Sequence, residues 1–245
     1  MKKIINIALN YIGHFLIYFC CYINSPTFCA YLIKISILRN KFFQKKIKKK
    51  KIIIVLDRAI GRRDIEIIQN SSNNAPEFMF LRRSITKVIL LYFSSQKKFF
   101  FNYLNPPIYE KDYFEQNEID RNNHEIFWKY VIYNLKKIFK KKFINLVTFN
   151  YTYFAEIALY SACKRNNVPV KLWHKEGIKT DLEAKLEAKT SGVKYRKVFS
   201  YFSNISVYNN LVKKMFVDID KSNSKKIGIN GFPRIHDYII KKKYK

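Results

Sequence analysis

Short apolar runs alternate with longer stretches of helical periodicity from residue 51 onward. Residues 51–57 read Lys-Ile-Ile-Ile-Val-Leu-Asp, an apolar run ending in an acid, which is typical of a strand buried on both faces of a parallel sheet. Runs of the same kind occupy residues 78–81, 143–149, 168–173, 205–208 and 226–230. Helical patterns cover residues 84–93, 122–142, 151–166 and 210–217. Strands separated by helices of this length predict βαβ units, and therefore an open α/β, Rossmann-like parallel sheet with helices on both faces.

An apolar segment precedes this region. Residues 4–33 contain no charged side chain, and their first part is a stretch of helix length that ends at the turn signal Asn24-Ser25-Pro26. About 20 apolar residues suffice to span a bilayer, which leaves a transmembrane helix open. However, Asn6, Asn10 and His14 recur every four residues and therefore share one face of a helix. A polar stripe of this kind favours a helix that lies in the membrane surface or packs on the protein.

Lysines crowd into the positions that follow the apolar segment. They are Lys41, Lys45, Lys46, Lys48, Lys49, Lys50 and Lys51. Beside an apolar helix, such a cluster favours anionic lipid on the cytoplasmic side of a membrane. The expected location is therefore cytoplasmic, peripheral to the inner face of the membrane. The alternative is a core helix followed by a solvated lysine run.

Much of the net positive charge reflects the amino-acid composition of the chain and not a binding function. Lys and Arg total 47 against 18 Asp and Glu, a formal net charge of +29, which points to nucleic acid or an anionic membrane as a partner. However, 37 of the basic residues are Lys and only 10 are Arg, whose fixed fork of donors suits phosphate and base recognition. With 34 Ile and 22 Asn, the skew is that of an AT-rich genome. We therefore expect no specific nucleic-acid partner.

The cysteines indicate neither a disulfide framework nor a metal centre. Cys20, Cys21, Cys29 and Cys163 have no Cys-x-x-Cys spacing and no histidine-rich surroundings. Reduced thiols in a cytosolic or membrane setting fit this pattern.

The turn after the first predicted strand contains the first group of candidate site residues, because ligands of open parallel sheets bind beyond the carboxyl ends of the strands. Gly61 would let the backbone approach a phosphate closely. Around it stand Arg58, Arg62 and Arg63, three of only ten arginines in the chain. Asp64 either caps the following helix or acts catalytically. Neither a Gly-x-Gly-x-x-Gly nor a P-loop pattern is present, so dehydrogenase and P-loop NTPase functions are unsupported.

The loop after the strand at 168–173 has the second candidate group. It reads His174-Lys175-Glu176-Gly177. A histidine and a glutamate two positions apart at a strand end can place an acid/base pair in a cleft, with a cation between them.

Together, these segments resemble the amino-terminal half of two-lobed (GT-B) sugar-nucleotide enzymes. The resemblance rests on the order of strand, His-x-Glu-Gly loop, helix, strand and Gly-x-Pro-Arg-x-x-Asp over residues 51–240. It is strongest to surface-polysaccharide glycosyltransferases with a Lys-Glu-Gly motif. It is more remote to UDP-N-acetylglucosamine 2-epimerases, whose His-x-Glu-Ala-Gly-Leu-Arg loop is matched, without its alanine, by His174, Glu176, Gly177, Ile178 and Lys179. Gly231 and Asp237 stand where the epimerases have the Gly and Asp of the interlobe hinge.

The resemblance implies a transferase for polysaccharide biosynthesis. The enzyme would move a sugar from a nucleotide donor to a saccharide or lipid-linked acceptor, with no cofactor besides that substrate and no metal. Glu176 or His174 would be the general base, and Asp64 a further catalytic candidate. The residues expected to face the donor are Arg58, Gly61, Arg62, Arg63, Lys175, Gly177 and Arg234.

The resemblance also divides the chain. Residues 1–48 would form the apolar helical segment, 49–231 the acceptor-side lobe, and 232–245 the start of a hinge. Because the second lobe of such enzymes follows the hinge, we expect this chain to be incomplete alone, with a second-lobe chain as a partner. The alternatives are a non-catalytic membrane-associated α/β protein and an epimerase-like fragment.

Overall fold

A single parallel sheet organises the fold. The structure is a computed structural model and describes residues 2–38, 51–70, 76–94, 113–140, 142–174 and 180–230. The described strands are β1 (Ile52–Leu56), β2 (Glu77–Leu81), β3 (Phe143–Thr148), β4 (Val170–Trp173), β5 (Phe202–Val207) and β6 (Ile227–Ile229). They form an open, all-parallel sheet in the order β2-β1-β3-β4-β5-β6, with helices packing on it. The predicted α/β sheet is confirmed.

The described helices connect and flank these strands. The α-helices are α1 (Lys2–Tyr22), α2 (Pro26–Leu38), α3 (Ala59–Asn70), α4 (Arg83–Phe93), α5 (Glu118–Ile138), α6 (Ile157–Arg165), α7 (Asp181–Glu187), α8 (Val193–Tyr195) and α9 (Asn210–Ile219). A π-helical turn spans Ala188–Gly192. Short 3-10 turns span Tyr113–Glu115, Phe154–Glu156, Arg196–Tyr201 and Lys221–Lys225.

The strand order places a topological switch point beside β1. All five residues of β1 are buried, as expected for a strand covered on both faces. From β1 the chain first adds β2 on one side and then returns to add β3 on the other. Beyond β3, each new strand pairs with the one before it, with Leu146 opposite Val170 where β4 joins. In such sheets, ligands bind at the carboxyl edge where the strand order reverses, here between β1 and β3.

Two predicted helix starts differ from the structure, each for a local reason. The helix predicted from residue 122 begins at Glu118, because the Asn117 side chain accepts a hydrogen bond from the Asp120 N–H and caps the helix. The helix predicted from residue 151 begins only at Ile157. Before it, the Asn150 side chain accepts the Thr152 N–H at 2.6 Å, a turn that competes with helix formation.

The chain divides into two compact units. The first comprises Met1–Lys46, Met79–Phe143 and Tyr153–Val168, and the second comprises Ile47–Phe78, Ile144–Thr152 and Pro169–Lys245. The first unit contains the helices α1, α2, α4, α5 and α6. The turn after β1 and the loop after β4, which carry the predicted chemistry, both belong to the second unit.

Within the first unit, the polar stripe of α1 packs on the protein. The Asn10 side-chain oxygen accepts a hydrogen bond from Arg82, and His14 Nε2 shares a hydrogen bond of 2.8 Å with Ser84 Oγ. The side chain of Asn6 lies outside the described part of the chain. Over the described ranges, no helix combines the length and the apolar character needed to cross a bilayer.

Candidate functional site

Gly61 lies against the end of β3. Helix α3 begins two residues after Asp57, and the Gly61 N–H donates to the Arg58 carbonyl at 3.0 Å. A Cβ built on Gly61 would lie 2.1 Å from Cζ of Phe149, far inside van der Waals contact. The side of Gly61 where a side chain would stand is therefore occupied by the Phe149 ring. This contact gives the glycine a packing role in addition to the phosphate role predicted for it.

Asp57 and Arg62 form an ion pair across the same turn. Arg62 Nε donates to Asp57 Oδ1 at 2.6 Å, and its Nη2 donates to the other carboxylate oxygen. The hydrogen bond to Asp57 raises the pKa of Arg62, with the nearby negative charge acting in the same direction. Bidentate pairing fixes the guanidinium and balances its charge. Of the other arginines predicted to face the donor, Arg58 is half-buried and Arg63 is exposed.

Asp64 lies inside α3. The helix begins at Ala59, so Asp64 is too far along it to cap the first turn, and the capping interpretation is wrong. The capping interpretation placed the start of α3 too late in the sequence, because only two residues separate α3 from β1. Asp64 is only 2% exposed.

His174 ends β4 within an aromatic cluster. Its backbone N–H donates to the Ser206 carbonyl at 2.9 Å, which continues the pairing of β4 with β5. Its ring is edge-on to Phe216 at 4.9 Å between centroids and lies 6.0 Å from Tyr151. With 1% of its surface exposed, His174 is enclosed rather than presented to solvent.

A tyrosine–glutamate hydrogen bond ties the end of β3 to α7. Tyr151 is buried, and its hydroxyl donates to Glu187 Oε1 at 2.7 Å. The sequence pattern does not indicate Glu187, because nothing local links it to Tyr151, which lies 36 residues earlier. Helix α7 itself starts with a capping box between Thr180 and Glu183.

Part of the predicted site lies outside the described residues. It comprises Lys175, Glu176, Gly177 and Arg234. The described residues bring the turn after β1 together with the end of β3, at the switch point of the sheet. Among them, no group of three or more His, Cys, Asp and Glu side chains is placed to hold a metal ion.

The first unit contains a buried carboxylate, Glu156, that the sequence pattern also does not indicate. Glu156 is fully buried, and its two oxygens accept hydrogen bonds from Arg83 Nε at 2.8 Å and from the Tyr160 hydroxyl at 2.7 Å. The Arg83 guanidinium also stacks over the Tyr153 ring at 3.9 Å. Since both carboxylate oxygens are engaged by protein donors, this cluster fixes the segment after β3 rather than offering an open acid.

Comparisons of the chain with protein-family models, with curated proteins and with solved structures give no match. The structure shows an α/β architecture with a six-stranded parallel sheet, and no family is identified.

Proposed function

We propose that this chain is the acceptor-side lobe of a glycosyltransferase that uses a nucleotide-sugar donor in surface-polysaccharide biosynthesis. The observation that carries the proposal is the common edge of β1 and β4. Both strands are parallel and only β3 separates them, so the arginine-bearing turn and the loop beginning at His174 leave the sheet at the same edge. At the usual strand spacing their ends are about 10 Å apart, a distance that a sugar diphosphate spans.

The described contacts refine the assignment of the donor-facing residues. The Arg62 guanidinium is paired with the Asp57 carboxylate, whereas Arg63 is the exposed arginine of this segment. Arg63 is therefore the arginine of this turn best suited to meet the donor phosphates. Positive charge there stabilises the phosphate as it departs.

The burial of His174 separates the two candidate bases. A general base must reach the acceptor hydroxyl, and an enclosed histidine among aromatic rings does not. Glu176 is the better candidate, and His174 is a positioning residue that anchors the start of its loop. In the transfer, Glu176 takes the hydroxyl proton, the acceptor oxygen bonds to the anomeric carbon, and the bond from that carbon to the donor phosphate breaks. The electron pair of the broken bond leaves with the nucleotide.

Donor binding tests the proposal directly. Isothermal titration calorimetry of the full chain with UDP-, GDP- and CMP-sugars should give saturable binding of one nucleotide class. Arg63→Gln should weaken that binding about tenfold, because it removes a charge-assisted hydrogen bond. Arg121→Gln, on α5 in the other unit, is the matched control and should leave the affinity unchanged. Absence of binding by all three classes would refute the proposal.

The base assignment has its own test. With a second lobe and a saccharide acceptor supplied, Glu176→Gln should abolish transfer and the release of the nucleotide that accompanies it while leaving donor affinity within about twofold, since the base acts only in the transition state. Asp218→Asn, an exposed carboxylate on α9, controls for the loss of a surface charge. Nucleotide release that survives in Glu176→Gln shows that another group is the base.

A second candidate function is a non-catalytic α/β scaffold, and the enclosure of His174 favours it. This candidate predicts a folded chain that binds none of the three donor classes.

A further inference from the structure

Helix α1 is oriented with its polar stripe toward the protein. Asn10 and His14 on this stripe contact Arg82 and Ser84 of the segment that forms α4. Helices on a protein surface ordinarily bury an apolar stripe and expose a polar one. In α1 the exposed Asn10 and the half-buried His14 make these contacts within the first unit, and the opposite side of the helix faces outward.

The outward side of α1 is apolar throughout its described length. Its exposed large side chains are Tyr11, Ile12, Phe15, Phe19 and Tyr22. At 100° per residue these positions fall within one arc of about 100° on the helix. Phe19 stacks between Phe15 and Tyr22, with ring centroids 6.5 and 6.4 Å apart, and Tyr22 is 70% exposed. Aromatic rings thus form a continuous exposed row along the helix.

The neighbouring helices of the same unit also expose apolar and aromatic side chains. On α2 they are Phe28, Tyr31 and Ile35, and on α5 they include Ile126, Tyr130 and Tyr133. The Asn134 side chain of α5 donates to Thr27 Oγ1 of α2 at 3.1 Å, so the tyrosines of α5 stand beside α2. We call the exposed residues named on α1, α2 and α5 the aromatic face.

Positive charge accompanies this face. On α2, Lys34 precedes the exposed Ile35, and neither α1 nor α2 contains an acidic residue. On α5, Lys137 Nζ lies 4.3 Å from the centre of the Tyr133 ring, and Lys129 lies 5.8 Å from that of Tyr130. Lysines beside tyrosines suit the headgroup region of an anionic bilayer, where aromatic rings sit at the interface and lysines meet lipid phosphates.

The same positive charge argues against a second copy of the chain as the partner that covers the aromatic face. Pairing two such faces would bring together α1 and α2 of both copies, which contain lysines and no acidic residue. Like charges facing each other across an interface oppose association. An anionic lipid surface has the opposite sign and accepts a broad apolar face without requiring a complementary shape.

We propose that the aromatic face docks this protein on the surface of a membrane rich in anionic phospholipid. The helices lie in the interface, with their rings at the boundary between headgroups and acyl chains and the lysines on the phosphates. This inference is independent of glycosyl transfer, because it involves only residues of the first unit.

Vesicle co-sedimentation tests the docking. The full chain should bind vesicles of phosphatidylcholine and phosphatidylglycerol in a 3:1 ratio at least tenfold more tightly than vesicles of phosphatidylcholine alone. The triple variant Phe15→Gln, Phe19→Gln, Phe28→Gln should bind the anionic vesicles about 100-fold more weakly, because it removes three rings that would enter the interface. All three side chains are exposed, so the variant should keep the far-UV dichroism and melting temperature of the parent within about 3 °C.

Two matched variants make the result specific. Leu182→Gln with Leu186→Gln removes two exposed leucines of α7, in the other unit, and should leave vesicle binding unchanged. Lys129→Gln with Lys137→Gln should weaken binding to anionic vesicles about tenfold without affecting the neutral ones. Failure to bind anionic vesicles, or binding that survives in the triple phenylalanine variant, overturns the proposal. So does sedimentation equilibrium showing a parent dimer and a monomeric triple variant, if neither binds lipid.

Discussion

The ring of Phe149 occupies the position that a side chain at residue 61 would need. The nearest ring atom, Cζ, lies 2.1 Å from the Cβ that an alanine would place there. Phe149 is buried and also contacts Trp173, at 6.4 Å between ring centroids, so it has little room to move. A glycine at the start of α3 is therefore what allows that helix to lie against the end of β3.

Gly61→Ala should lower the free energy of unfolding by about 1–2 kcal/mol, measured by urea denaturation. Overpacking costs about 1–3 kcal/mol, and the better helix propensity of alanine returns up to about 1 kcal/mol. In a Phe149→Leu background the same change should be neutral or stabilising, because the ring is gone. Gly13→Ala on α1 is the matched control, since nothing lies within 4 Å of its Cβ, and it should stabilise by up to about 1 kcal/mol. Equal effects at both glycines would contradict this account.

Arg83→Met should destabilise the protein by about 3 kcal/mol in the same assay. It removes the charged partner of the fully buried Glu156 carboxylate, and removing one partner of a buried pair costs about 3–5 kcal/mol. Because Arg83 is partly exposed, we expect a loss of stability at the lower end of this range. Adding Glu156→Gln should recover more than half of the loss. A double variant as unstable as Arg83→Met alone would show that the cost comes from lost packing on Tyr153 and not from the uncompensated charge.

The stability of the protein should fall between pH 6.5 and pH 3 because of His124. Burial lowers the pKa of His124 from 6.5 to about 3, and its Nε2 accepts a hydrogen bond from Trp128 Nε1, which requires the neutral ring. The unfolded chain takes up a proton below pH 6.5 while the folded chain does not, so acid favours unfolding. From pH 8 to pH 5 the loss from this residue should be about 2 kcal/mol. His124→Gln should flatten that part of the pH profile of unfolding, and an unchanged profile would exclude His124 as its source.

The four cysteines should be inert to a thiol reagent in the native protein. All four are buried, and burial raises the pKa of Cys20 to about 11 and those of Cys21, Cys29 and Cys163 as well. Because the thiolate is the reactive form, labelling at pH 8 should be more than about 100-fold slower than at an exposed cysteine introduced by Ser200→Cys. Rapid labelling of the parent would show that α1 and α2 open readily, since three of the four thiols lie in or beside them.

The sheet could be predicted from the sequence because its signal is local. The run of β1 is apolar at every position, and all five residues of the strand are buried. The contacts of the candidate site cannot be predicted from local sequence pattern. The pairing of Asp57 with Arg62 depends on α3 beginning immediately after the strand, and the role of Gly61 depends on a ring 88 positions later in the chain.

Helix α1 is a second case in which local sequence pattern predicts only part of the structure. Periodicity correctly groups Asn10 and His14 on one face, but it does not say which face turns inward. That choice is made by Arg82 and Ser84, which lie 72 and 70 residues further along the chain. Local pattern thus defines the two faces of an amphipathic helix, and only distant partners assign them.

The interleaving of the two compact units has a consequence for synthesis. Each unit is built from three separate stretches, so the polypeptide passes from one to the other five times. The last stretch of the first unit ends at Val168, and α1 and α2 therefore lack their final neighbours until synthesis has passed that residue. Until then the apolar side chains of α1 and α2 are incompletely covered, which exposes the growing chain to aggregation.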